Sequence, residues 1–226
     1  MKTIYNIAID GPAGAGKSTI AREVARRLRF VYVDTGAMYR AIALYFSRKG
    51  MDLGDEKEIS REVSRVEVSL AYDNGIQQVL LNGENVSSLI RTPQVGAAAS
   101  VTSAYPAVRE KLTQLQKELA KRENIIMDGR DIGTCVLPHA DLKVYLTASA
   151  EVRAKRRYEE LQEKGETADL ASIEEEIKER DYRDMHREIS PLTKAEDAVL
   201  VDTSSMTIEE VVECLMTLAE ERGIRV

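Results

Sequence analysis

Cysteine and histidine are nearly missing from this chain: Cys135, Cys214, His139 and His186 are all it has. Neither pair has zinc-site spacing, and so few ligands exclude the common Cys/His metal centres. Two cysteines with no evident partner fit a reducing compartment. Long apolar runs are missing too. No stretch approaches the roughly 18 to 20 apolar residues that a membrane-spanning helix needs. The first ten residues hold one lysine and a short apolar run that ends at Asp10. That is not the pattern of a secretory leader, and cytoplasm is the expected compartment. Positive charge is in deficit, with 32 Lys and Arg against 38 Asp and Glu and a formal charge of −6. Sequence-blind nucleic-acid binding rests on cations meeting phosphates, so no nucleic acid is expected as a partner. Any anion site must be local.

What is present is ordinary for a globular protein: 226 residues, 43% hydrophobic and 31% charged, enough to bury a sizeable core. Ile4 to Asp10 reads as a buried strand, and a helical pattern runs from near Gly16 to about Arg29. Val31 to Asp34 is a second strand, followed by a helix from Ala37 to about Arg48. This β-α-β-α order implies a parallel sheet with helices on its faces. The rhythm then changes. Residues 66–72 alternate apolar and polar, and Asn74-Gly75 and Asn82-Gly83 lie between strand-like runs. Asn-Gly in that setting is the strongest short hairpin signal. The pattern predicts a small antiparallel insert over about residues 63–90. Helices are expected after Thr92-Pro93 and after Pro106. Strands follow at Ile125–Asp128, Leu142–Leu146 and Ala198–Asp202, with helices at Ser149–Lys164, Ser172 to about Arg187 and Thr207–Arg222. No internal repeat or low-complexity linker interrupts the chain. The expectation is one α/β domain, with a mostly parallel five-stranded sheet flanked by helices. Its core would be about residues 1–50, 92–150 and 190–226, with the insert and a short helical lid over about 151–189.

The segment Gly11-Pro12-Ala13-Gly14-Ala15-Gly16-Lys17-Ser18 fits the phosphate-loop pattern G-x-x-x-x-G-K-S/T at every fixed position. Glycines let the backbone curl tightly and approach an anion. Successive N–H groups then form an anion nest, and the helix beginning near Gly16 adds its positive end. Lys17 can reach the β- and γ-phosphates, and the Ser18 hydroxyl can ligate Mg²⁺. A nucleoside triphosphate with Mg²⁺ is the expected ligand. The reaction stays open between a kinase, a nucleotide switch and a binding module.

The arginines narrow it. Arg40 and Arg130 lie just after predicted strands, Arg109 lies in the helix after Pro106, and Arg180, Asp184 and Arg187 have the spacing of one helical face. Arg153, Arg156 and Arg157 form another cluster that could fold over a triphosphate, or could be an ordinary solvated face. Segment 151–190 carries 9 Lys or Arg against 13 Asp or Glu, so it is no nucleic-acid patch. A phosphate acceptor, with a second pKa of about 6, needs no general base at neutral pH. Many arginines and no evident catalytic histidine suit that chemistry.

These residues together resemble the bacterial cytidylate kinase family over almost the whole chain. The carriers are Gly11 to Thr19, Asp34-Thr35-Gly36-Ala37-Met38-Tyr39-Arg40, Ile90-Arg91-Thr92, Ala98-Ala99-Ser100, Val108-Arg109, the stretch Asp128 to Thr134, and Glu179 through Arg187 to Pro191-Leu192. The resemblance implies ATP on Gly11–Thr19 and CMP or dCMP as acceptor. Thr35, Ser100, Arg109 and Asp131 would read the cytosine edge. Arg40, Arg130 and Arg187 would grip the acceptor phosphate, and Arg180 and Asp184 the sugar hydroxyls. Arg153 and Arg157 would belong to a lid over ATP. Thr35 stands where relatives often carry Ser, a change that keeps the hydroxyl. A monomer is expected. Alternatives inside the class are a UMP, AMP or shikimate kinase. From another class, a nucleotide switch would bind a partner and transfer nothing, but an Asn-Lys-x-Asp guanine motif is absent from the sequence.

Overall fold

The computed structural model describes residues 4–224. Five strands form the main sheet: β1 (Asn6–Asp10), β2 (Val31–Asp34), β6 (Ile125–Gly129), β7 (Leu142–Thr147) and β8 (Val199–Asp202), in the order β2-β6-β1-β7-β8. β1 runs parallel to β6 and β7, and β7 parallel to β8. The register sets Asp10 opposite Gly129 on one side and Tyr145 on the other. The carboxyl ends of three strands therefore finish side by side, the edge where open α/β sheets take ligands. β1 and β6 are near-continuous apolar runs because both faces of a parallel sheet are covered. Ile7, Ile9, Ile125, Ile126 and Met127 are all fully buried.

The chain folds into two compact units, one comprising the chain up to Val31 with Glu123 onward, the other Tyr32–Arg122. In the first, α1 (Lys17–Leu28) buries a stripe of Ile20, Ala21, Val24 and Leu28 at the spacing of one helical face. It packs on β6 and on α8 (Ile208–Glu221), which begins with a Thr207/Glu210 capping box. α6 (Ala150–Glu163) and α7 (Leu170–His186) pack on each other.

In the second unit α2 (Thr35–Arg48) lies against α4 (Pro93–Thr102) and α5 (Pro106–Ala120) around Met38, Ile42, Phe46 and Leu112. The insert is a three-stranded antiparallel sheet, β3 (Val68–Asp73), β4 (Ile76–Leu81) and β5 (Glu84–Asn85). Asn74 and Gly75 at one turn, and Asn82 and Gly83 at the other, all have positive φ. That is the type I′ geometry whose twist matches a hairpin, and it is why Asn-Gly occurs twice. A short helix, α3 (Glu56–Glu62), capped by Asp55, is an element the sequence reading left unassigned.

Candidate active site

The phosphate loop follows β1 directly. A Cβ on Gly11, at φ 150°, would stand 1.9 Å from the Leu146 carbonyl oxygen of β7. Only glycine lets the chain leave the sheet there. Gly14 and Gly16 also have positive φ, and Gly16 caps α1 with its carbonyl accepting from the Thr19 and Ile20 amides. Gly14, Gly16 and Thr19 are exposed while Gly11, Pro12, Ala15 and Lys17 are buried, with Ala13 and Ser18 between. Lys17 donates from Nζ to the Pro12 carbonyl at 2.6 Å, so the loop holds its own lysine in place. Burial, then the positive charge of Arg130, lowers its pKa well below the lysine range. An anion beside it would favour the charged form, as expected of a site built for phosphates.

Ser18 Oγ donates to Asp128 Oδ2 at 2.9 Å. A hydroxyl and a carboxylate at the ends of neighbouring elements form a hard oxygen pair suited to Mg²⁺, which takes one or two protein ligands and completes its shell with water and phosphate. Among the described residues there is no cluster of three or more His, Cys, Asp or Glu that could hold a metal ion.

Beyond Asp128 the chain turns through Arg130 and Asp131 into a single π turn, Ile132–Val136. Asp10 fixes this turn: its carboxylate oxygens each accept one amide, from Ile132 and Gly133, both at 2.7 Å. Burial outweighs those hydrogen bonds and raises the Asp10 pKa to about 6.

Arg130 donates from Nε to Asp184 Oδ2 at 2.8 Å. Burial pushes the Asp184 carboxyl up, but Arg130, Arg180 and Arg187 together outweigh it and hold the pKa below the usual range. Arg187 Nη2 also lies 3.7 Å from Asp131 Oδ1, and its Nε donates to the Ser190 carbonyl. The sequence spacing placed Arg187 on the helical face of Arg180 and Asp184. α7 instead ends at His186, and Arg187 is its extended C-cap residue at ψ 143°. The three arginines still meet around Asp184, but Arg187 reaches it from the turn beyond the helix.

The other cluster divides. Arg153 is buried and donates to the Ala13, Ala148 and Asp181 oxygens. Arg157 pairs with Glu160 near the surface, and Arg156 donates to Thr203. His139 is exposed, and His186 stacks on Tyr182.

In the second unit the segment after β2 is held by Asp34. Its side chain accepts from the Ala37 amide, capping α2, and from Arg91 Nη2 at 2.6 Å. Gln77, from β4, pairs its amide with both the N–H and the carbonyl of Asp34. Thr35 is buried and Arg40 partly buried on the following turns. Arg109 is buried beneath Tyr39, its guanidinium 5.5 Å from the ring centroid, and donates to the Ser103 carbonyl. Ser100 is partly exposed on α4.

The family model described as cytidylate kinase matches residues 7–221. The chain belongs to the cytidylate kinase family. It is 48% identical over 219 residues to a cytidylate kinase of Lactobacillus gasseri, covering 97% of this chain and 95% of that one. It is 50% identical over 212 residues to a cytidylate kinase of Carboxydothermus hydrogenoformans, covering 94% and 96%. Among solved structures it shares the fold of a shikimate kinase from Bacteroides thetaiotaomicron, with TM-score 0.50 and 16% identity over 96% of this chain and 99% of that one. As a cytidylate kinase family member this chain is a nucleoside monophosphate kinase.

Sequence reasoning gave no role to Asp10, Asp34, Asp128 or Asp181. Asp128 had a readable signal, an acidic residue closing a strand in a phosphate-loop protein. Asp34 had one as well, an N-cap position three residues before the Ala37 amide; Asp10 and Asp181 did not, since their partners lie far away along the chain.

Proposed function

We propose that this chain transfers the γ-phosphoryl of Mg·ATP to CMP or dCMP, giving ADP and CDP or dCDP. The observation that carries the reading is electrostatic. The phosphate loop follows β1 and Arg130 follows β6, and these neighbouring parallel strands set Asp10 opposite Gly129, so Lys17 and Arg130 bring positive charge to one edge of the sheet. Two phosphate groups of like charge need that convergence of cations.

An acceptor phosphate oxygen attacks Pγ, the bond from Pγ to the β–γ bridging oxygen breaks, and ADP leaves with that electron pair. The acceptor is already deprotonated at neutral pH, so no base is required. Gly11–Thr19 hold the donor. Ser18 and Asp128 would hold Mg²⁺, which when bound neutralises charge on the β- and γ-oxygens. Lys17 and Arg130 counter the charge that spreads in transfer. Arg40 and Arg187 join Arg130 on the acceptor phosphate, and Arg180 with Asp184 on the sugar. Thr35, Ser100, Arg109 and Asp131 read the base, because a wrong base leaves buried polar groups unpaired. Arg157, paired with Glu160 near the surface, would reorient toward ATP. On the same reading the enzyme is a cytoplasmic monomer.

A coupled assay of ADP release with Mg·ATP and each of CMP, dCMP, UMP, AMP, GMP and shikimate tests this. CMP and dCMP are expected to stand at least tenfold above the rest in kcat/KM, about the discrimination of a few unpaired hydrogen bonds. Another acceptor in front would overturn the pocket assignment. Near-normal turnover by Lys17→Ala would overturn the phosphate-loop assignment.

A further inference from the structure

Helix α7 carries two carboxylates one turn apart, and each holds a different arginine. Asp184 takes Arg130, which follows β6. Asp181 takes Nη2 of Arg153 at 2.6 Å. Arg153 touches the phosphate loop: Nη1 donates to the Ala13 carbonyl at 3.0 Å, and Nε donates to the Ala148 carbonyl at 2.8 Å. Its aliphatic stem runs beside Gly14, whose added Cβ would meet Arg153 Cβ at 3.4 Å. Both members of the ion pair are at least nine-tenths buried, Arg153 at 4% exposure and Asp181 at 9%. Asp181 Oδ1 is buried with no hydrogen-bond partner among the described residues. The carboxylate is thus committed to Arg153 through one oxygen.

We infer that Asp181 is a positioning residue for ATP, acting through Arg153 on the loop carbonyl of Ala13, and that α7 thereby couples donor and acceptor binding. A loop carbonyl held outward by a guanidinium leaves the adjoining amides free to face the phosphates. Residues 181 and 184 lie on one helical face, so a shift of α7 that seats Arg130 on the acceptor also moves the anchor of Arg153. The same helix biases two sites, and the coupling must be reciprocal. This rests on Gly11–Thr19 being the ATP loop and on Arg130 serving the acceptor.

The test is calorimetric titration of the full chain with a non-hydrolysable ATP analogue and Mg²⁺, with and without saturating CMP, and the converse titration. In the wild type each ligand should tighten the other by about fivefold or more, within the usual range of coupling factors. In Asp181→Asn the analogue should bind roughly tenfold more weakly, the coupling factor should fall toward one, and CMP alone should bind as in the wild type. Asp181→Glu should recover part of the coupling. Asp181→Asn combined with Arg153→Ala should bind the analogue no more weakly than Arg153→Ala alone. Wild-type ligands that bind independently, full coupling in Asp181→Asn, or additive losses in the double variant would each overturn the inference. Should Asp181→Asn fail to fold, the Arg153→Ala and Asp181→Glu titrations decide alone. Failure of CMP to bind the wild type at all would instead overturn the function proposed above.

Discussion

Arg130 and Asp184 are joined by a hydrogen bond of 2.8 Å although they lie 54 residues apart in the chain. One follows β6 of the central sheet directly and the other sits on α7. Arg180 and Arg187 act on the same carboxylate, so Asp184, with Asp131 beside Arg187, offsets the repulsion among three like charges. Asp184→Ala would leave them repelling one another. A charge-assisted hydrogen bond of this kind is worth about 1.5–3 kcal/mol. We expect KM for the acceptor to rise roughly ten- to a hundredfold, with the ATP affinity of the binary complex changing much less. Steady-state kinetics with CMP varied at saturating ATP would measure it.

The Ser18–Asp128 pair predicts a metal dependence. EDTA should abolish transfer. Asp128→Asn keeps a hydrogen-bonding oxygen for the Ser18 hydroxyl but removes the negative charge. The Mg²⁺ concentration for half-maximal rate should rise about tenfold or more, as commonly follows loss of a metal-site partner. A Mg²⁺ titration of the initial rate at fixed ATP reads this directly. An unchanged midpoint would remove Asp128 from the metal site.

Two loop glycines should respond differently to alanine. At Gly11 the new Cβ would collide with a backbone carbonyl at 1.9 Å, and neither the loop nor β7 can yield without breaking the sheet. We expect a loss of about 3 kcal/mol or more, or no folded protein. At Gly16 nothing lies within 4 Å, so the cost is the left-handed backbone alone, about 1 to 2 kcal/mol. Urea unfolding of the two variants would rank them.

Asp10 gives a pH prediction. Its folded pKa of about 6 lies above the ordinary aspartate value of 3.8, with burial the main cause. The folded state therefore holds this proton more tightly than the unfolded chain. Its contribution is fully present below pH 3.8 and is lost as pH rises through 6, an effect on the order of 3 kcal/mol. Asp10→Asn has no such proton. The stability difference between wild type and Asp10→Asn should shift in favour of the variant from pH 4 to 6.5, then stay flat. A flat difference across that window would show that Asp10 does not titrate there.

Local chemistry and distant chemistry were unequally legible. The strands of the main sheet and both Asn-Gly turns could be read off because their signals are contiguous: an apolar run, or a pair of residues that tolerate positive φ. The phosphate loop was legible for the same reason. The misplacement of Arg187 came from extending helical spacing one residue past His186, where the backbone turns extended. Asp10 looked like the end of a strand and nothing more. Its use depends on amides 122 and 123 residues away.

The sequence by itself determined the fold class and the phosphate loop with Lys17 and Ser18, since these follow from spacing along a few residues; the second anionic ligand was implied only by the family resemblance. Only the tertiary structure decided which donors these carboxylates hold. Asp128 on Ser18, Asp184 on Arg130 and Asp181 on Arg153 are pairs spanning 110, 54 and 28 residues. The physical reason is that a parallel sheet brings the ends of non-consecutive strands to one edge. Buried charges there must find partners, and strand order, not chain order, sets which partners are in reach.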